Sequence, residues 1–165
     1  MKIVMNKITG LIAFALFLAV CIVCKPEFLS DNTFLRGFIN HEILALMAVI
    51  MTITLASVAN IHISLNSLVL RRFGGNEPLK EAAAGVKKEM TDNAWLIFWG
   101  FLVTAIVLVA KGAFDDKNVL AYAITHGVCL WFLLLYFLCM YDIYKVVFGI
   151  VELELKVGDP PAARK

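Results

Sequence analysis

Ile43–Leu70 runs for 28 residues without an Asp, Glu, Lys or Arg. As a helix this run is about 42 Å long, whereas a bilayer core of about 30 Å needs only about 20 apolar residues. Three more charge-free runs follow the same rule. Ile8–Cys24 and Ala94–Ala110 have 17 residues each, and Val119–Tyr141 has 23, its apolar pattern continuing past Asp142 and Lys145 to Val151. The expected architecture is an all-α integral membrane protein with four transmembrane helices at about 8–24, 41–70, 94–110 and 119–150. The second and fourth helices are longer than a bilayer requires and are expected to extend into the cytoplasm.

Composition closes the alternatives. Of the 165 residues, 61% are apolar and 17% charged, with a mean hydropathy of +0.84. Soluble domains carry about 45–50% apolar and about 25% charged residues. A globule of this size would still expose about a third of its surface, so the apolar residues must meet lipid. Soluble, disordered and disulfide-scaffold classes are thereby excluded.

Lys and Arg in short loops orient the spans. Lys2, Lys7, Arg71, Arg72, Lys80, Lys87, Lys88, Lys145, Lys156, Arg164 and Lys165 fall on one side, against Lys25, Arg36, Lys111 and Lys117 on the other. Both termini and the central loop are thus expected in the cytoplasm, most simply that of a bacterial cell with the protein in its inner membrane. Trp95 and Trp99, one turn apart, suit an interfacial anchor on that side. The first run is expected to be an uncleaved span, because no A-x-A site follows it and Val20 is too bulky for a lipoprotein box ahead of Cys21.

The segment 73–93 is the one sizeable polar stretch. Gly74-Gly75 reads as a break and Asn76-Glu77-Pro78 as a helix start. Leu79, Ala82, Ala83, Val86 and Met90 then recur at helical spacing, predicting a short amphipathic linker helix over 77–90. Thr91-Asp92-Asn93 is placed to cap the next span. Such a linker can lie on anionic headgroups or, with the C-terminal tail, meet a cytoplasmic protein partner.

Val23, Lys25, Phe28 and Asn32 match Val109, Lys111, Phe114 and Asn118 at a constant offset. After a one-residue gap, Leu35, Ile39 and His41 match Leu120, Ile124 and His126. The pattern suggests a 2+2 parallel repeat, with its axis along the membrane normal.

Polar groups inside a bilayer face protein or water. His41 and His126 hold matching places near the outer ends of the second and fourth helices. Two imidazoles from neighbouring helices can ligate haem b or sense pH, whereas interfacial histidines bonded to loop backbone are the plainer alternative. His62 and Asn66, one turn apart, fit a hydrogen-bonded pair in a helix interface. Ser57, Asn60, Ser64, Ser67 and Arg71 fall within an arc of about 80° at 100° per residue. This stripe has three uses: lining a lumen, packing helices together, or facing water on a protruding bundle. Asp142 and Lys145 are spaced to form an ion pair at the inner end of the fourth helix. Ala15-x-x-x-Ala19 and Gly100-x-x-x-Thr104 allow close helix approach.

Cys21, Cys24, Cys129 and Cys139 lie inside spans and are expected to pack as small apolar residues. No catalytic set, phosphate loop or metal-spaced cluster is present, and no resident cofactor or direct nucleic-acid contact is expected. The leading expectation is a non-enzymatic oligomer in the lipid bilayer, acting as a pore or channel, or as the membrane sensor or effector of a larger system. Antiphage defence and toxin immunity are the settings that its architecture suggests. The alternative is a haem- or quinone-associated anchor of an electron-transfer complex, with His41 and His126 as ligands.

Overall fold

A computed structural model of the chain describes residues 2–72, 77–114 and 118–158, with side chains placed for 9–67, 80–114 and 118–151. Every regular element among them is helical: α1 (Lys2–Cys24), α2 (Glu27–Ser30), α3 (Thr33–Phe38), α4 (His41–Arg72), α5 (Glu77–Lys111) and α6 (Val119–Gly158). Three helices contain stretches long and apolar enough to cross a membrane: His41–Ser67, Lys80–Lys111 and Val119–Val151. Thr9–Cys24 is a shorter apolar stretch within α1. These features are compatible with an integral membrane protein.

The 32, 35 and 40 residues of α4, α5 and α6 correspond to about 48, 52 and 60 Å, well beyond the hydrocarbon thickness of about 30 Å. The expected break between a linker helix and the third span does not occur. α5 runs unbroken from Glu77 through Thr91, Asp92 and Asn93 to Lys111. Two features carry the helix through. Thr91 Oγ donates to Lys87 O at 2.9 Å, folding its hydroxyl back along the helix rather than capping a new one. The buried seam also continues across the junction at helical spacing, through Met90, Ala94, Ile97 and Thr104. The Gly74-Gly75 break and the Asn76 cap lie outside the described residues.

The chain divides into two compact units. The first comprises Met1–Met51 and Leu96–Leu138, and includes α1, α2, α3 and parts of α4, α5 and α6. Its close approaches use small residues. A Cβ on Gly100 would stand 3.0 Å from Tyr136 Cε2 and 3.2 Å from Phe132 Cδ1, and one on Gly127 would stand 2.9 Å from Ile22 Cδ1. The Tyr136 hydroxyl donates to Ile97 O beside Gly100, and Thr104 Oγ donates to Gly100 O at 2.8 Å. The Gly100–Thr104 pair thus sits where α5 meets α6. The short helices α2 and α3, absent from the charge pattern, occupy the loop after α1. Asn32 caps α3 by accepting from Leu35 N at 3.1 Å.

The second unit comprises Thr52–Trp95 and Cys139–Lys165. It is a three-helix bundle of the remaining lengths of α4, α5 and α6. Val58 and Ile61 of α4, Met90 and Ala94 of α5, and Ile143 and Ile150 of α6 form its core, with Leu65, Val86, Val146 and Val147 packed around them. Of the apolar face read over 77–90, Val86 and Met90 take part in this core, whereas Ala82 is exposed.

Candidate functional site

Polar side chains gather in two places, one in each unit, and they are satisfied to different degrees. In the first unit the centre is His126, 0% exposed. Its Nδ1 lies 2.8 Å from Leu29 O, and a carbonyl only accepts, so Nδ1 carries the proton. Its Nε2 then presents a lone pair, and Lys111 Nζ donates to it at 3.3 Å and to Ile39 O at 2.9 Å. Both carbonyls are free to accept because they lie at the ends of short helices, where no intrahelical N–H reaches them. Four elements, α2, the end of α3, α5 and α6, are joined through two side chains.

Tyr122 stands edge-on to the His126 ring at 6.1 Å between centroids, and its own ring lies 5.2 Å from Lys111 Nζ and 5.8 Å from the Arg36 guanidinium. Arg36 in turn clamps the α2–α3 turn, donating from Nε to Ser30 O at 2.5 Å and from Nη2 to Asp31 Oδ1 at 3.1 Å.

His41, the matched residue, is exposed at the start of α4. The two histidines thus occupy different environments, and both nitrogens of His126 face protein partners. Its Nε2 lone pair points at an ammonium rather than at an open coordination position. Neither Leu29 O, the partner of His126, nor Ile39 O, the partner of Lys111, is legible in the sequence, because backbone carbonyls carry no residue-type signal.

In the second unit the two polar faces of α4 separate. His62 and Asn66 do not pair with each other but with a matching pair on α5. Lys87 Nζ donates to Asn66 Oδ1. Thr91 Oγ has its hydrogen committed to Lys87 O, so it accepts from His62 Nε2 at 3.4 Å. Two residues one turn apart on each helix form two antiparallel rungs.

Ser57, Asn60 and Ser64 of the predicted stripe are brought together on the wall of a groove between α4 and α6, opposite Val147, Ile150 and Val151, with a volume of about 120 Å³. Asn60 is exposed. Ser67 turns away, donating to Ser64 O at 2.9 Å, and the Arg71 side chain lies outside the described residues. A second cavity of about 300 Å³ adjoins the first, sharing Ser57 and Val147 with it, and is walled by Ile53, Thr54, Met140, Tyr141, Ile143 and Tyr144. Thr54 is 2% exposed. Among the described residues its Oγ is the one buried side-chain polar atom without a hydrogen-bond partner.

Of the expected ion-pair residues, Lys145 places its Nζ 5.1 Å from the centroid of the Tyr141 ring, one turn back along α6, and Asp142 is half-buried. Cys129 and Cys139 are buried, Cys21 is half-buried and Cys24 exposed, all with free thiols. No protein-family model, curated protein or solved structure matches the chain.

Proposed function

We propose that the chain is a non-enzymatic, oligomeric membrane protein of four spans, with α1 as the first, and that it serves as the membrane sensor or effector component of a larger system. In this reading both termini and the turns of the bundle past Ile61 on α4 and before Asp92 on α5 lie in the cytoplasm, and those turns are the surface offered to a partner protein. The observation that carries it is the continuity of α4, α5 and α6 past the length a bilayer needs into a bundle with its own core. About 20 residues counted along α4 from His41 end near Ile61, and about 20 counted back along α5 from Lys111 end near Asp92. Those endpoints adjoin the bonded pair His62–Thr91. Two counts from separate helix ends therefore agree on the level at which the helices leave the hydrocarbon. Trp95, Trp99, Tyr141 and Tyr144 are exposed in the turns leading to it, as an aromatic belt requires.

A photo-crosslinking amino acid at Lys88, exposed on the bundle, tests the reading in living cells. A discrete adduct with one cytoplasmic protein is expected. Adducts to lipid alone, or labelling only from the opposite side of the membrane, would overturn it.

Exposed Asn60 on the α4 stripe favours a second reading, in which several copies turn Ser57, Asn60 and Ser64 towards a shared lumen. Ion flux in proteoliposomes that is lost in Asn60→Leu/Ser64→Leu would select this reading; absence of flux in the wild type would remove it.

A further inference from the structure

As the first span proposed above, α1 is short. Its charge-free run, Ile8–Cys24, has 17 residues and reaches about 25 Å as a helix, about one turn less than a bilayer core of about 30 Å. With Lys2 and Lys7 at the inner headgroups, the shortfall lies at the outer end, where α2 and α3 follow. Two hydrogen bonds fix how deep those short helices are held within the first unit. Leu29 O of α2 accepts from His126 Nδ1, and His126 stands six residues past Leu120 on α6, about 9 Å along the helix axis. Ile39 O, just past α3, accepts from Lys111 Nζ at the end of α5. Leu120 and Val109 are exposed apolar residues near these outer ends of α6 and α5, as Val20 and Val23 are on α1. The apolar surface that suits lipid therefore continues outward past the depth at which α2 is held.

α3 has the faces that such a boundary asks for. Phe34 and Phe38, one turn apart, stack with 5.5 Å between ring centroids, and Phe34 is 70% exposed. Leu35, between them in the chain, is buried. Arg36 stands about 160–200° round the helix from the two phenylalanines at about 100° per residue. Its guanidinium turns back to Ser30 O and to Asp31, an exposed carboxylate. Phe28 of α2 is exposed as well. Exposed rings on one side and a charged pair on the other form the pattern of a segment lying in the membrane interface, its apolar face about 5–10 Å into the headgroup–acyl boundary.

We propose that α2 and α3 are immersed in the outer leaflet, with Phe28, Phe34 and Phe38 among the acyl chains and Arg36 and Asp31 at the phosphate level. The occupant of this face is lipid, because the depth set by His126 and the exposed apolar residues around it place the rings inside the lipid layer. The segment supplies the apolar length that α1 lacks. It also joins the outer leaflet to the His126–Lys111 cluster through Leu29 O and Ile39 O. The proposal rests on α1 being a membrane span, but not on the identity of a cytoplasmic partner or on the number of copies.

Depth-dependent fluorescence quenching in phosphatidylcholine vesicles is the test. Phe34→Trp is made in a chain carrying Trp95→Phe, Trp99→Phe and Trp131→Phe. Leu16→Trp in the same background gives the depth reference, since Leu16 is exposed at the midpoint of the α1 run. The Phe34→Trp indole is expected to be quenched several-fold more by phosphatidylcholine brominated near the glycerol end of its chains than by iodide in the water. The Leu16→Trp indole should instead respond most to bromines near the chain ends. Iodide quenching without bromolipid quenching at position 34, with position 16 still quenched by bromolipid, would overturn the proposal and leave the span in place. No bromolipid quenching at either position would overturn the membrane placement of α1, and the proposal with it. A second measurement keeps the native tryptophans. A benzophenone-bearing phenylalanine analogue at position 34, irradiated in living cells, is expected to give lipid adducts. A discrete adduct with an extracytoplasmic protein would assign the face to that partner and overturn the proposal.

Discussion

The polar groups of the two units are treated in opposite ways. Around His126 every donor and acceptor that defines the cluster faces a protein partner: two backbone carbonyls, an ammonium and an aromatic ring edge. Between the later turns of α4 and α6, a buried hydroxyl has no protein partner and an amide stands exposed on the wall of a groove. A saturated network rigidifies, because removing one member leaves the others buried and unpaired. The first cluster is closed on itself and the second is not, although both began as sparse polar residues in apolar helices.

The bundle is where the comparison breaks most easily. If α5 is one helix from Glu77 to Lys111, Asp92→Pro removes a helix hydrogen bond in its interior and should cost about 3 kcal/mol or more. Chemical unfolding in detergent would show this as a large loss. A tolerated proline would mean that the helix is broken there and that the bundle is a separate element.

His126→Leu strips Leu29 O and Lys111 Nζ of a partner, at an expected cost of about 3 kcal/mol. His126→Asn, whose amide can still donate towards Leu29 O, should recover part of it. A neutral leucine substitution in the same unfolding assay would show that the cluster holds nothing together.

Two glycines grade the packing of the first unit. Gly100→Ala sets a methyl against the Tyr136 and Phe132 rings, and Tyr136 is tethered by its bond to Ile97 O; about 1–2 kcal/mol is expected. Gly127→Ala meets only the end of the Ile22 side chain, which can swing, so a cost below about 1 kcal/mol is expected. The reverse order would show that α1 rather than α6 sets the tight contact.

The smallest effect is expected in the groove. Thr54→Val in lipid-free detergent should leave stability unchanged or raise it by about 1 kcal/mol, because it removes a buried hydroxyl that no protein group satisfies. A clear loss would mean that the hydroxyl already has a structural role, and the contrast between the two clusters would fail.

Much of the helical framework was readable beforehand for a local reason. The ends of α1, α4 and α6 lie within a few residues of the charge-free runs, apart from the extension of α6 to Gly158, because apolar composition and helix hydrogen bonding are both properties of neighbouring residues. The stripe Ser57, Asn60 and Ser64 was found for the same reason, since a helix face is fixed by spacing alone. Thr91-Asp92-Asn93 has the residue types of a cap, yet α5 runs through it. Local propensity yielded there to a packed seam that runs on through Met90, Ala94 and Ile97. α2 and α3 were missed because helices of four and six residues carry no periodicity to detect.

What sequence could settle about this protein was its helicity, its apolar character and the length by which α4 and α6 exceed a bilayer, all of them sums over adjacent residues. The fates of the polar side chains belong to the fold. His126 meets a carbonyl 97 positions away in the chain, Asn66 meets a lysine 21 away, and Thr54 meets no protein group. Burial makes a polar group costly wherever it lies, but whether a partner stands within about 3 Å depends on which helix ends and faces come together.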